Sequence, residues 1–181
     1  MKLNPEQIKS ITVGAADVIA DGESFRFHRF TAAQMECYRM ASKDFYNKTL
    51  APAGVRLAFY TDSDRLSFGY HFGKAGSSRQ YAYIDVLVDG VLFGHFGSEA
   101  APASEGAAEL ALTGYTVGQA KLVEIELPWS LEASLSDITL ADSASVKPAK
   151  RPLTLVCYGD SITHGYDATY PSMSYANRLA R

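Results

Sequence analysis

Apolar and polar residues alternate through most of the first 140 positions. In the clearest stretch, every second residue is large and apolar, namely Leu66, Phe68, Tyr70 and Phe72. A period of two is typical of a strand with one face on a core. The same reasoning predicts strands at residues 11–13, 25–30, 55–60, 81–88, 91–96, 109–113, 122–127 and 138–140.

Asp89-Gly90 separates two of these apolar runs and predicts a tight hairpin between them. A type I′ turn needs positive φ at both central residues, which aspartate and glycine tolerate. Many short strands joined by such turns predict a mostly β N-terminal module. The periodicity is equally compatible with a β-sandwich and with a jelly roll.

The pattern changes after residue 140. Residues 146–152 contain two prolines and predict a linker that follows a β module spanning residues 1–145. Residues 153–158, LTLVCY, are almost continuously apolar, which is typical of a strand buried on both faces of a parallel sheet. Ser172 is a predicted helix N-cap before apolar residues at helical spacing. Residues 153–181 therefore predict the strand, loop and helix that open an α/β domain.

Composition narrows the function classes. The chain has 181 residues, 47% of them hydrophobic, and a net charge of −3. The weak negative charge argues against nucleic acid and anionic membranes as partners. No signal peptide or membrane-spanning segment is recognisable, so we expect a cytoplasmic protein. Cys157 lies in the apolar run and is expected to be buried.

Ser161 follows the predicted buried strand on a glycine turn, at the edge where open α/β sheets carry their reactive groups. Residues 156–165, VCYGDSITHG, closely resemble the first conserved block of the SGNH (GDSL) hydrolases. Residues 174–180 resemble, more weakly, the first helix of that family. The resemblance implies a flavodoxin-like hydrolase domain whose nucleophile is Ser161.

The resemblance also implies roles for the neighbours of the serine. The backbone N–H of Ser161 would be one oxyanion donor, Asp160 would support the loop, and Gly159 would allow the tight turn. Some SGNH proteins, including certain carbohydrate esterases and an acyltransferase, carry a jelly-roll-like module ahead of the catalytic domain. The order of segments in this chain is similar to theirs.

The base that a serine nucleophile needs is missing from the sequence. The family supplies it from a later Asp-x-x-His block. None of the four histidines, His28, His71, His95 and His164, has aspartate three positions before it. His164 is close to Ser161 along the chain, but we expect it to be a loop residue near the pocket rather than the base. We therefore expect this chain to be the front part of a longer enzyme.

Two binding alternatives fit the residues less well. His71 and His95 are expected to be half-exposed strand residues, because no cysteine or carboxylate accompanies them at metal-ligand spacing. Trp129 and the tyrosines could form a sugar-stacking platform, but core packing is favoured for aromatic residues with strand periodicity.

The predicted function is that of a serine esterase or acyl hydrolase working through an acyl-enzyme on Ser161. The expected substrate is a small ester, with an acetylated sugar as an example taken from the family, and no metal or organic cofactor is implied. Hydrolysis and acyl transfer both remain open, as does the oligomeric state. The alternative is a non-catalytic β-sandwich binding or docking module with a vestigial hydrolase start.

Overall fold

The strands of the protein form two antiparallel sheets that pack face to face. A computed structural model describes residues 1–79, 81–99, 104–116 and 118–181. The strands are β1 (Thr12–Val13), β2 (Asp17–Asp21), β3 (Ser24–His28), β4 (Arg56–Thr61), β5 (Arg65–Ala75), β6 (Ala82–Val88), β7 (Val91–Ser98), β8 (Glu105–Ala111), β9 (Lys121–Glu126), β10 (Leu131–Leu140) and β11 (Lys147–Pro148). The helices are α1 (Pro5–Ile11), α2 (Ala32–Ala41), α3 (Lys43–Thr49), α4 (Ser161–His164) and α5 (Tyr175–Leu179), with a 3₁₀ turn at Pro171–Met173.

Within the described residues, one sheet has six strands in the order β1-β4-β9-β6-β7, with β11 also paired to β4. The other has five strands in the order β2-β3-β10-β5-β8. A single apolar core fills the space between the sheets and includes the fully buried side chains of Leu57, Phe59, Phe68 and Ile125. This arrangement confirms the predicted mostly β fold. We call the two sheets with α1–α3 the β module.

The predicted strands overlap β1 and β3–β10, because each sheet has one face on the core, but alternation missed β2, β11 and most of β10. Leu66, Phe68 and Phe72 are buried and Tyr70 packs partly against the core. Asp89 and Gly90 have φ values of 50° and 77° and join β6 to β7, which confirms the hairpin.

The sequence did not predict the helices α1–α3. Two of them begin with a capping box, in which side chain and backbone at each helix start satisfy each other's hydrogen bonds. In α1 the pair is Asn4 and Gln7, and in α2 it is Thr31 and Gln34. A cap residue followed by glutamine three positions later, Asn-x-x-Gln or Thr-x-x-Gln, was the available signal for these two helices, and both occurrences lie outside the stretches with a period of two.

The predicted strand at residues 153–158 does not form, which corrects the sequence-based prediction. Leu153, Val156 and Tyr158 are almost fully exposed, and Cys157 is exposed rather than buried. A strand of this type is stable only when neighbouring strands bond to both its edges. No described strand lies beside it, so its backbone groups stay unpaired and the segment stays irregular.

The helix cap and the linker also differ from the prediction. The N-cap of α5 is Ser174, whose hydroxyl accepts a hydrogen bond from the Asn177 N–H, whereas the predicted cap Ser172 lies in the 3₁₀ turn. Within the predicted linker, β11 pairs with β4.

None of the helices in the described ranges has the length and apolar character needed to cross a bilayer.

The exposed segment makes a prediction for amide hydrogen exchange. Residues 153–159 have no backbone hydrogen bonds within the described part of the chain, so their amides should exchange at close to random-coil rates. The amides of β9, which is bonded to β4 and β6 on its two edges, serve as the internal reference and should be protected. Strong protection throughout residues 153–157 in monomeric protein would contradict this reading.

Candidate active site

Ser161 is the first residue of α4, a single helical turn that its own neighbours hold together. The Asp160 carboxylate accepts a hydrogen bond from the Ile162 N–H at 3.0 Å, and the Asp160 carbonyl accepts one from His164 at 3.1 Å. Aspartate is among the best N-cap residues because its oxygen satisfies a free N–H at the helix start. The turn ends at Gly165, whose φ is +113°.

Gly159 allows a close approach between the start of this turn and its third residue. A Cβ at position 159 would overlap the Thr163 side chain. The Thr163 hydroxyl in turn accepts a hydrogen bond from the Tyr175 hydroxyl at 2.8 Å, which links the turn to α5. The structure thus brings Gly159, Asp160 and Ser161 together in one compact turn.

The Ser161 side chain is exposed, and neither its hydroxyl nor its N–H has a hydrogen-bond partner among the described residues. Both groups are therefore free to meet a ligand. An open cleft of about 2320 Å³ lies between residues 153–161 and the β module, and Ser161, His164, Arg29 and Trp129 lie in its walls. The serine faces a space large enough for a small organic molecule.

His164 lies one turn after Ser161 but is occupied elsewhere. Its Nε2 atom is 3.0 Å from Nη2 of Arg29. A guanidinium can only donate, so Nε2 accepts this hydrogen bond and the ring proton resides on Nδ1. Burial, followed by the positive charges of Arg29 and Lys48, lowers the pKa of His164 to about 4. The nitrogen that could take a proton from Ser161 is thus already used.

His95 also has a partner away from Ser161. Its Nδ1 atom is 2.6 Å from Oδ1 of Asp85, and its ring stacks on Tyr170 with centroids 3.6 Å apart. The second carboxylate oxygen of Asp85 accepts a hydrogen bond from the Ser172 N–H at 2.8 Å. Asp85 is fully buried, so this pair anchors the 3₁₀ turn to β6. In the described ranges, no histidine is hydrogen-bonded to Ser161.

A buried ionic cluster fixes α5 and the end of the chain on the six-stranded sheet. Glu126 is fully buried, and its Oε1 atom lies 3.9 Å from Nη1 of Arg56 and 3.7 Å from Nε of Arg181. Its other oxygen, Oε2, accepts a hydrogen bond from the side-chain amide of Asn177 at 3.4 Å. Glu124 is also buried and pairs with Arg56 and with Arg151.

Incomplete pairing makes this cluster sensitive to pH. Among the described residues, Oε1 of Glu126, Oε2 of Glu124 and Nε of Arg56 are buried without hydrogen-bond partners. Burial is the largest cause and raises the pKa of Glu126 to about 7, although Arg181 and Arg56 oppose the shift. The sequence carries no local signal for this burial, because Glu124 and Glu126 alternate with core residues, which is the pattern of a solvated strand face.

The chain is similar in structure to two solved proteins. It matches a salicylyl-acyltransferase of a tetracycline biosynthetic pathway with a TM-score of 0.70 and 27% identity, over 93% of this chain and 47% of that one. It matches a protein described as a GDSL-like lipase from Bacteroides ovatus with a TM-score of 0.67 and 23% identity, over 94% of this chain and 50% of that one. The chain therefore spans about half the length of these proteins and shares their fold over that part.

No model of a protein family matches the chain, and no curated protein matches it in sequence.

The state of Glu126 makes a prediction for stability. Its folded-state pKa lies above the ordinary value of 4.5, so the folded protein holds this proton more tightly than the unfolded chain. Stability contributed by the protonated group should be fully present below about pH 4.5 and be lost as pH rises through about 7. Glu126→Gln removes this loss. The free energy of unfolding of the variant minus that of the unchanged protein should therefore be larger at pH 8 than at pH 5, by roughly 1 to 3 kcal/mol.

Urea unfolding of both proteins at the two pH values measures this difference. Glu109→Gln, at an exposed position of β8, is the matched control and should show no such pH dependence. An equal effect of Glu126→Gln at pH 5 and pH 8 would contradict the prediction.

Proposed function

We propose that Ser161 is the nucleophile of an esterase or acyltransferase, and that this chain is the front portion of that enzyme. The observation that carries the proposal is the exposed Ser161 on a capped turn at the edge of the cleft, with its hydroxyl and N–H both unpaired. The likeness at 27% identity to an acyltransferase adds support, because that protein transfers an acyl group.

The proposed reaction follows from the groups that Ser161 presents. Its Oγ attacks the carbonyl carbon of an ester, and the hydroxyl proton passes to a base. The N–H of Ser161, at the start of α4, would donate a hydrogen bond to the oxygen that becomes negatively charged. The carbon–oxygen bond to the alcohol then breaks, the alcohol leaves with the proton from the base, and an acyl-serine remains. Water or a second alcohol then takes the acyl group, which is hydrolysis or acyl transfer respectively.

The base is proposed to come from polypeptide beyond the residues of this chain. Nε2 of His164 already accepts from Arg29, and the other histidines have no hydrogen bond to Ser161 within the described ranges. The resemblance to SGNH hydrolases implies an Asp-x-x-His pair as the source. The half-length coverage of both solved proteins supports this origin. Such polypeptide would also supply neighbours for the apolar residues 153–158.

The proposed substrate is a small neutral ester. A net charge of −3 gives no reason to expect a strongly anionic ligand, and the cleft offers room for an acylated sugar or another small alcohol. The proposal involves no metal or organic cofactor, no nucleic acid and no membrane. Asp160 and Gly159 would serve the reaction only by holding the turn.

The second candidate is a non-catalytic binding or docking module. The observation that favours it is the absence of a base at Ser161 in the described part of the chain. In that case, the cleft would bind a ligand without turning it over.

A covalent probe separates these two functions. The natural full-length gene product should have a mass above 19.7 kDa and should react with a fluorophosphonate at Ser161. Ser161→Ala should abolish the adduct and lower the hydrolysis of an activated acetate ester by at least about 10³-fold, because the nucleophile has no substitute. Ser67→Ala, on β5, is the matched control and should retain both properties.

The contrary results are equally clear. A natural product of 19.7 kDa that is folded but shows no Ser161-dependent adduct or turnover would favour the binding module. Turnover that persists in Ser161→Ala would exclude Ser161 as the nucleophile.

A further inference from the structure

Arg29 connects the nucleophile turn to the body of the β module. It follows β3, and its guanidinium donates to the Ala51 carbonyl at 2.9 Å and to the Lys48 carbonyl at 3.2 Å. The third hydrogen bond, at 3.0 Å, goes to Nε2 of His164 at the end of α4. The two carbonyls lie in the last turn of α3 and just beyond it, where helix carbonyls lack internal partners and favour a cation. One side chain thus joins α3 to α4.

Arg29 is well suited to hold a fixed geometry. Burial lowers its pKa to about 10, so the guanidinium stays charged at neutral pH. Its planar fork points several donors in fixed directions, which a lysine cannot do. His164 is complementary because its low pKa keeps Nε2 free of a proton and able to accept.

Trp129 holds the same turn from a second side. It is buried, its indole N–H donates to the Ala168 carbonyl at 2.7 Å, and its ring lies edge-on to His164 with centroids 6.0 Å apart. Gly165 packs directly on this ring, since a Cβ there would lie 2.9 Å from Cγ of Trp129. Its φ of +113° is also one that other residues rarely adopt. The turn fits the β module closely at this point.

The anchorage lies after the serine and not before it. Residues 153–159 are exposed and have no backbone hydrogen bonds within the described part of the chain. By contrast, Gly165 and Tyr166 donate to the Ile162 and Ser161 carbonyls at 3.1 and 2.8 Å. The position of Ser161 is therefore set through His164 and Gly165, one helical turn downstream.

We propose that Arg29 is a positioning residue for Ser161 that acts through His164, which makes the β module part of the active site. The proposal rests on the proposed function of Ser161. The hydrogen bonds of Arg29 go to Ala51, Lys48 and His164 and not to Ser161, and its contribution is to fix the direction of the serine hydroxyl and N–H. A displacement of about 1 Å at a reacting group is enough to cost about 10²-fold in rate.

The test begins with the chain itself and does not depend on activity. Nitrogen-15 NMR should show His164 as the Nδ1–H tautomer with a pKa of about 4. In Arg29→Gln this pKa should rise towards the ordinary 6.5, because a nearby positive charge is removed. The amides of Gly165 and Tyr166 should lose at least about 10-fold of their protection against exchange, as local opening becomes easier. Arg26→Gln, at an exposed position of β3, is the matched control and should leave both readouts unchanged.

Variants of His164 separate positioning from general packing. His164→Gln retains an acceptor within reach of Arg29 and should keep the amide protection, whereas His164→Leu should lose it. The proposal is overturned if Arg29→Gln leaves the tautomer, the pKa and the protection of His164–Tyr166 unchanged. It is also overturned if β9 loses protection equally, because that result would mean general destabilisation.

The rate measurement is made on the natural full-length protein. If Ser161 is active there, Arg29→Gln should lower kcat by about 10²-fold, with a much smaller effect on KM, since the main change is the loss of the anchor that orients the nucleophile. His164→Gln should retain most of the rate. An unchanged kcat in Arg29→Gln would overturn the positioning role. If Ser161→Ala has no effect on turnover, the proposed function fails by itself, and the NMR result still reports whether Arg29 holds the turn.

Discussion

Glu126 lies at the centre of a sheet face that would ordinarily meet water. It is fully buried because the last residues of the chain pack over the outer face of the six-stranded sheet. A buried carboxylate must be paired or protonated, since removing it from water is costly. Arg56 reaches it from the sheet and Arg181 from the C-terminal segment, so the charge is matched only when the two parts are together. The placement of α5 and of Arg181 on the sheet depends on this constraint.

Most strands of the β module could be predicted from the sequence, because alternation and turn chemistry are local. Alternation identified the strands, and Asp89-Gly90 identified a hairpin, since both signals act within a few residues. The outer face of β9 could not be predicted in the same way. Glu124 and Glu126 have the pattern of an exposed face, and contacts with Arg151, Asn177 and Arg181 help to bury them. These partners are far away in the sequence, so no local pattern reports them.

In the candidate site, too, some features could be predicted from consecutive residues and others depend on contacts between distant parts of the chain. The turn around Ser161 could be recognised from consecutive residues, because Asp160 and Gly159 act on their immediate neighbours. Arg29 and Trp129 could not, because they meet the turn only after the chain has folded back on itself. The prediction of a buried strand at residues 153–158 was wrong for the same reason: the apolar pattern is local, but a strand also needs partners along its edges.

The contact between Gly165 and Trp129 limits how such proteins can be recombined. Two segments that fit by the absence of a Cβ on one and a buried indole on the other cannot be exchanged independently. If the serine turn were grafted onto an unrelated scaffold without the tryptophan, Gly165 would lose the indole ring on which it packs. A different β module joined in front of the same turn would have to offer an equivalent flat ring at the same place. In this protein the two positions would therefore have to be changed together.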